Sequence, residues 1–552
     1  MRTSWTMLIC LAAGLCSGGP AAADEAAPAP PSAAAKAGAE SPAPARPVVI
    51  YTKDRPPATP KLEDLPLKEG VSQYGITWTF GKPARVGQFV NGDYYVVGPV
   101  TVKTIDPKPL WGDEVKDVVH KQDVKENDYP GQWARNGSTL NHTFDKKNFK
   151  GYGGAGFDSR IPGHRYNPDL FARLPIEMGP GDALISTISR PTSELTDFGG
   201  QHVDPLRVAA VLTCLGAPQP PDAFRPSYCD TKNSHVYLAR NLRRELLLSV
   251  APTPGCPAAP GKYAAAFQKP WIDVVEFGFA APMDNLPHYG QNICDKVGEA
   301  SLCLLMDYKP EDKEPLLINM VQVGIDFWGL ARAGMTWRCW GGHSSGRKAL
   351  LLLTSLMFAD QDMQRPYKAC PKVQFGEDDQ TAMCPFEYHG QTYQRGWTGA
   401  KAIFVGHSLE KNGGGAKGDP GWGPVDLVPP SQWPLKRPGG LPASEGYRRS
   451  NTSNSWIGEA LAFRMMHAEK LWDHDAFFAY VDRWMTEDDT PFVEEMKKAG
   501  AQDYTKAKFG SFGRQGYVYS ARFVKEMWNK YRNNLPPAAD GHKDPPAEVT
   551  WK

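Results

Sequence analysis

The sequence predicts an α+β protein: a β-sandwich-like domain over residues 71–255, followed by an (α/α) toroid over 256–535. Two textures carry that expectation. Up to about Pro254, short apolar or alternating runs are bounded by Gly, Pro and Asp, the pattern of strands and turns. From about Trp271 to Tyr531, apolar residues recur at three- and four-residue spacing, the pattern of helices. The 54 glycines and 50 prolines imply long, structured loops between these elements.

The elements follow in order. Residues 1–23, "MRTSWTMLICLAAGLCSGGPAAA", pair a basic start with an apolar run and a small-residue end, as a secretory signal peptide cut near Ala23 does. Leu15 before Cys16 argues against lipidation, and the expected location is periplasmic or secreted. Residues 24–70 begin Ala/Pro-rich and are assigned to a disordered tether. "GQFVNGDYYVVGPVTVKTI" alternates around Asn91-Gly92, a hairpin signal. "GDALISTIS" and "LRVAAVLTCL" read as further strands, and "LARNLRRELLLSV" as a helix leading out. "NICDKVGEASLCLLMDY" sets Ile293, Val297, Ala300 and Leu304 on one helical face. "EPLLINMVQVGIDFWGLARAG" sets Leu316, Met320, Gly324 and Trp328 together and stops at Gly334. Four more helical runs follow, and residues 536–552 are assigned to a disordered tail.

A net charge of +1 provides no global field for nucleic acid or an anionic membrane, so an acidic ligand must be held by local charge. No apolar run after the signal is long enough to span a bilayer, and a monomer is expected. Eight cysteines follow the signal, an even number that suggests disulfides in an exported chain, with Cys370–Cys384 the first pairing and Cys214–Cys229 the next. Cys303 reads as a buried thiol. Without a CxxC or HExxH string there is no zinc signature, and neither metal nor cofactor is expected.

Polar chemistry concentrates in four segments. "WRCWGGHSSGRK" carries Trp340, His343, Arg347 and Lys348 just before a helix, whose N-terminus favours a carboxylate. "GYRRSNTSNSWIG" carries Tyr447, Arg449, Asn451 and Asn454, also opening a helix. "FGEDDQTAMCPFEYHGQTYQRGWTGA" carries Glu377, Asp378, Tyr388, Tyr393, Arg395 and Trp397. "LPHYGQN" adds Tyr289 and Gln291. In the β-rich part, "FDSR" suggests a structural ion pair between Asp158 and Arg160, and Asn136 and Asn141 head Asn-x-Ser/Thr strings.

Several of these strings, "VGQFVNGDYYVVGPVTV", "GDALISTIS", "HYGQNICDKVGEASLCLLMDY", "GGHSSGRK" and "YRRSNTSNSWIGEALAFRMM" among them, resemble the alginate/glucuronan-type polysaccharide lyases built on an (α/α) toroid, polysaccharide lyase family 38 being the nearest. The likeness spans most of residues 75–531, with Gln291 where a basic residue is expected. It implies β-elimination on an acidic polysaccharide. Such chemistry needs the substrate carboxylate neutralised, a base at the C5 proton and an acid at the departing O4. His343, Tyr447, Tyr388 and Arg347 are the candidate catalytic residues. Arg449, Asn451, Asn454, Tyr289, Gln291, Trp340, Trp397 and Arg395 are candidates for binding sugar. A glycoside hydrolase would instead need two flanking carboxyl groups, from Glu377, Asp378 and Asp273. A carbohydrate-binding protein would need only the aromatics and arginines.

Overall fold

The computed structural model describes residues 47–118, 129, 131–144, 154–161, 165–198, 201–275, 280–286, 290–338, 342–388, 390–405, 425–432, 452–488, 490–498 and 521–539. The signal segment, Tyr289, Cys339, Trp340, Tyr447, Arg449 and Asn451 lie outside these residues.

Eight of the described strands form one curled, mixed sheet rather than a sandwich, and the others make two-stranded pairs. Its members are β1 (Leu67–Gln73), β2 (Ile76–Gln88), β3 (Tyr94–Val97), β4 (Val100–Asp106), β5 (Ser138–Leu140), β6 (Ile176–Met178), β7 (Ala183–Ser189) and β8 (Leu206–Leu215). The order is β5-β7-β8-β3-β2-β4-β6, with β1 also on β2, and β8 beside β3 is the parallel pair. The expected hairpin is present: Gly92 takes φ 93° and the Phe89 amide donates to the Asp93 carbonyl at 2.9 Å. Strand β1 starts inside the stretch assigned to the tether.

Why one sheet suffices is legible in β7 and β8. Leu184, Ala210 and Leu212 point into a core with Val71, Trp78, Val86 and Val102 of the same sheet. Ala183, Ile185, Ala209 and Val211 point the other way, into the main helical core. The curl lets one sheet enclose its own small core, and helices cover the opposite face. Both faces of β8 are buried from Val208 to Leu212, which explains the apolar run there.

The described helices of eight residues or more are α1 (Gly261–Gln268), α2 (Gly290–Leu305), α3 (Pro310–Ala333), α4 (Arg347–Phe358), α5 (Trp456–Met465), α6 (Asp475–Thr486), α7 (Thr490–Lys498) and α8 (Arg522–Tyr531). Among the described residues they do not form a toroid. In α3 every residue from Leu316 to Ala331 is buried, and α1 and α4 pack on it while α2 pairs with α5. A helix covered all round is a central element, not one member of a ring. α2 and α5 cross closely at Gly298 and Gly458; a Cβ on Gly298 would lie 2.9 Å from the Glu459 amide nitrogen. Gly334 ends α3 in the left-handed conformation (φ 109°), as its sequence implied. "LARNLRRELLLSV" instead forms two short 3-10 turns, Ala239–Asn241 and Arg244–Leu246, because its arginines leave to bond Asp222 and Glu314. No helix among the described residues is long and apolar enough to cross a membrane.

The seven described cysteines after the signal carry no disulfide, which corrects both expected pairings. The Cys214 thiol faces the Met178 carbonyl and the Cys229 thiol faces the His142 carbonyl, so each is buried against a different partner. Cys303 is a buried thiol as expected. Asp158 and Arg160 form a buried ion pair at 2.7 Å that Arg135 joins. Asn136 and Asn141 spend their amides internally, on Lys108 and Ser189 and on Asp182 and Ala183.

His142 carries a pH prediction. It is 1 % exposed, its ring meets the edge of Phe144, and neither ring nitrogen has a hydrogen-bond partner. Burial drives its pKa down to about 3. The folded chain keeps it neutral while the unfolded chain protonates it below about pH 6.5. Its contribution is therefore complete above pH 6.5 and is lost as pH falls toward 3, by up to about 1.4 kcal/mol per unit. Urea midpoints at pH 7 and pH 5 should converge in a His142→Leu variant; an undiminished drop would assign the acid sensitivity elsewhere.

Candidate functional site

Three helix N-termini meet at the turn 343–346. Gly346 precedes α4 with φ 94°, and a Cβ there would come within 2.9 Å of the Cys294 backbone in the second turn of α2. Gly290 opens α2 so close beneath the turn that a side chain would drive into the His343 carbonyl. From α5, the Trp456 indole donates to Ser345 Oγ at 3.1 Å, and the carbonyl of Ser455 accepts from the Cys294 thiol at 3.3 Å. Segments 290–294, 343–348 and 452–456, read separately as polar clusters, thus converge. Glu377 of the third cluster joins them, taking the Gly346 amide on its Oε1 at 2.5 Å.

Convergence changes the roles. Arg347 is 1 % exposed and committed to Asp273: Nε to Oδ2 at 2.7 Å and Nη2 to Oδ1 at 3.3 Å. Its Nη1 donates to the His343 and Ser345 carbonyls at 3.1 and 2.8 Å. The expected grip on a substrate carboxylate is therefore replaced by a grip on the turn itself. Lys348 is buried against Asp378 and the Trp472 carbonyl. Trp337 is core, its indole donating to Asp273 at 2.9 Å, and Trp456 is fully buried, so neither offers a face to sugar. Gln291 and Asn454 are also buried. His343 is half-buried, the most accessible residue of its turn.

The third segment divides. Tyr388 and Tyr393 sit on paired strands Phe386–Tyr388 and Gln391–Tyr393, packed on a satellite core of Ile403, Val405 and Leu427. Burial raises the Tyr388 hydroxyl pKa, with Tyr393 adding to it. Arg395 is exposed and donates to the Gly399 carbonyl, and Trp397 packs near Phe492. Of the carboxyl groups, Asp378 is held by Lys348, Tyr367 and Trp472, and Asp273 by Arg347 and Trp337.

Glu377 is different. It is fully buried, its Oε2 has no hydrogen-bond partner, and burial pushes its pKa up to about 7 against the pull of the Gly346 amide. Glu459, also fully buried, faces it from α5. Burial first and Glu377 second push the Glu459 carboxyl well above the usual carboxylate range. The ligand atoms of Cys294, Glu377 and Glu459 lie within 4.8 Å of one another. Sequence reasoning counted Cys294 only as a disulfide half and passed over Glu459. The available signal was a carboxylate in the otherwise apolar run "SWIGEALAF".

Comparison of the chain with protein-family models, with curated proteins and with solved structures returned no match.

Proposed function

We propose that the protein is an exported lyase that cleaves an acidic, uronic-acid polysaccharide by β-elimination. The observation that carries the reading is the meeting of the N-termini of α2, α4 and α5 at the turn bearing His343. Each N-terminus adds partial positive charge, so the junction favours an anionic group even though Arg347 is spent on Asp273. An imidazole beside such a junction is suited to take the proton that carboxylate neutralisation makes acidic. The likeness of "GGHSSGRK" and "YRRSNTSNSWIG" to the alginate/glucuronan-type lyases supports the same reading.

The hydrolase reading loses ground on the same geometry. Asp273 and Asp378 are ion-paired, and Glu377 is sealed from solvent, whereas two working carboxyls must flank a substrate and a water.

Incubating the mature chain with a panel of polyuronates should raise ultraviolet absorbance, because elimination leaves a double bond conjugated to the carboxylate. His343→Ala should cut that rate by roughly two to four powers of ten with an unchanged unfolding midpoint. New reducing ends without absorbance would replace the lyase by a hydrolase. Binding with neither signal would leave a carbohydrate-binding protein.

A further inference from the structure

The geometry points to a buried binding site for a divalent transition metal, zinc foremost, formed by Cys294 of α2, Glu377 of the turn Gly376–Asp379 and Glu459 of α5. The three side chains are each fully buried and come from three separate elements, yet their ligand atoms lie within 4.8 Å of one another. A tetrahedral zinc ion, with bonds of about 2.0–2.3 Å, spaces its ligand atoms roughly 3.5 Å apart.

A second observation is the company these groups keep. Both carboxyl oxygens of Glu459 and one of Glu377 lack a hydrogen-bond partner of normal geometry. So do the buried hydroxyls of Thr452 and Ser453, just before α5, and of Ser344, which packs on Gly376 beside Glu377. Buried polar atoms are rarely left unpaired, and here three such oxygens belong to the two carboxyl groups of the cluster. Arg347 and Lys348, whose charges reach Glu459 and Glu377, are already held by Asp273 and Asp378. A cation would supply the missing charge to the acidic groups, and a water on it could serve a hydroxyl.

The donor set selects the ion. One sulfur with two carboxylates suits a borderline metal such as zinc, and disfavours calcium or magnesium, which want oxygen alone. Bound there, the ion would tie α2 and α5 to the turn 376–379, against Gly346 at the end of the turn that carries His343. It would thereby fix the junction of helix N-termini. This inference stands apart from the lyase reading, since a structural cation fits any use of the junction.

The test uses the full mature chain, stripped with a chelator and titrated with Zn²⁺ or Co²⁺. About one equivalent should bind, and the unfolding midpoint should rise with Zn²⁺ concentration. Co²⁺ should give a thiolate-to-metal charge-transfer band in the near ultraviolet. Cys294→Ser should abolish that band, while Cys303→Ser, on the same helix, should keep it. Glu459→Gln should weaken Zn²⁺ binding at least about tenfold. A wild-type chain with no Co²⁺ thiolate band and no Zn²⁺-dependent midpoint would overturn the site, whatever the variants do. Binding that survives both Cys294→Ser and Glu459→Gln would overturn it as well.

Discussion

Arg225→Met should destabilise the protein by about 3–5 kcal/mol, a large share of the roughly 5–15 kcal/mol that holds a typical fold together. Arg225 is fully buried between two carboxylates. Its Nε donates to Asp93 at 2.6 Å, and its Nη1 and Nη2 form a fork on Asp326 at 2.9 and 2.6 Å. Asp93 ends the hairpin turn between β2 and β3, and Asp326 lies in the middle of α3. One guanidinium therefore fastens the sheet to the central helix. Gln322 reinforces the join by exchanging two hydrogen bonds with the Arg225 backbone at 3.0 Å. Removing the guanidinium leaves two carboxyls buried from solvent. Burial already pushes Asp326 up to about 6 despite the opposing pull of Arg225. In the variant Asp326 should protonate more readily still. The deficit should therefore shrink as pH falls from 8 toward 5, by up to about 1.4 kcal/mol per unit for each proton taken up. Adding Asp93→Asn and Asp326→Asn to Arg225→Met should recover much of the loss, because it is the uncompensated charge that costs most. Urea unfolding of the single and triple variants measures both effects. A single variant within 1 kcal/mol of wild type would mean the ion triad does not hold sheet to helix.

The contrast between what the sequence revealed and what it hid follows from the range of the interactions. Strands β7 and β8, the Asn91–Gly92 hairpin, and the long helices α2 and α3 were legible because alternation, a turn dipeptide and a 3.6-residue repeat are local properties. Their assembly was not legible. Nothing local says that the strands share one curled sheet, or that α3 is enclosed rather than placed in a ring. Its polar Asn319, Gln322 and Asp326 carry no local mark of where they point. They are buried, bonded to Ala264 and Arg225. The site divides the same way. His343 and the helix-opening glycines stood out as residue types. The commitment of Arg347 to Asp273, 74 positions away, is a long-range pairing that no spacing rule encodes. Cys294 and Glu459 stayed hidden because they lie on different helices, far apart in sequence, and form a cluster only where α2 crosses α5.

Arg347→Ala is the second large expected effect, and it separates two roles for one side chain. An arginine that gripped a substrate carboxylate in an open cleft would lower turnover or raise KM on removal while leaving the fold intact. Arg347 is instead 1 % exposed, forked on a buried Asp273 and bonded to the carbonyls of His343 and Ser345. Its loss strands Asp273, which keeps only the Trp337 indole among the donors described above, and releases the turn that carries His343. The expected cost is again about 3–5 kcal/mol, read as a lowered unfolding midpoint. Arg347→Lys should restore little of it, because a single ammonium cannot serve the carboxylate fork and two carbonyls together. The double variant Arg347→Met, Asp273→Asn should regain stability by removing both charges. It should nevertheless recover little turnover on any substrate the protein cleaves, since the turn still lacks its clamp. Arg347 is on this argument a positioning residue. An Arg347→Ala chain with an unchanged midpoint and a raised KM would reverse the assignment and return its guanidinium to the substrate.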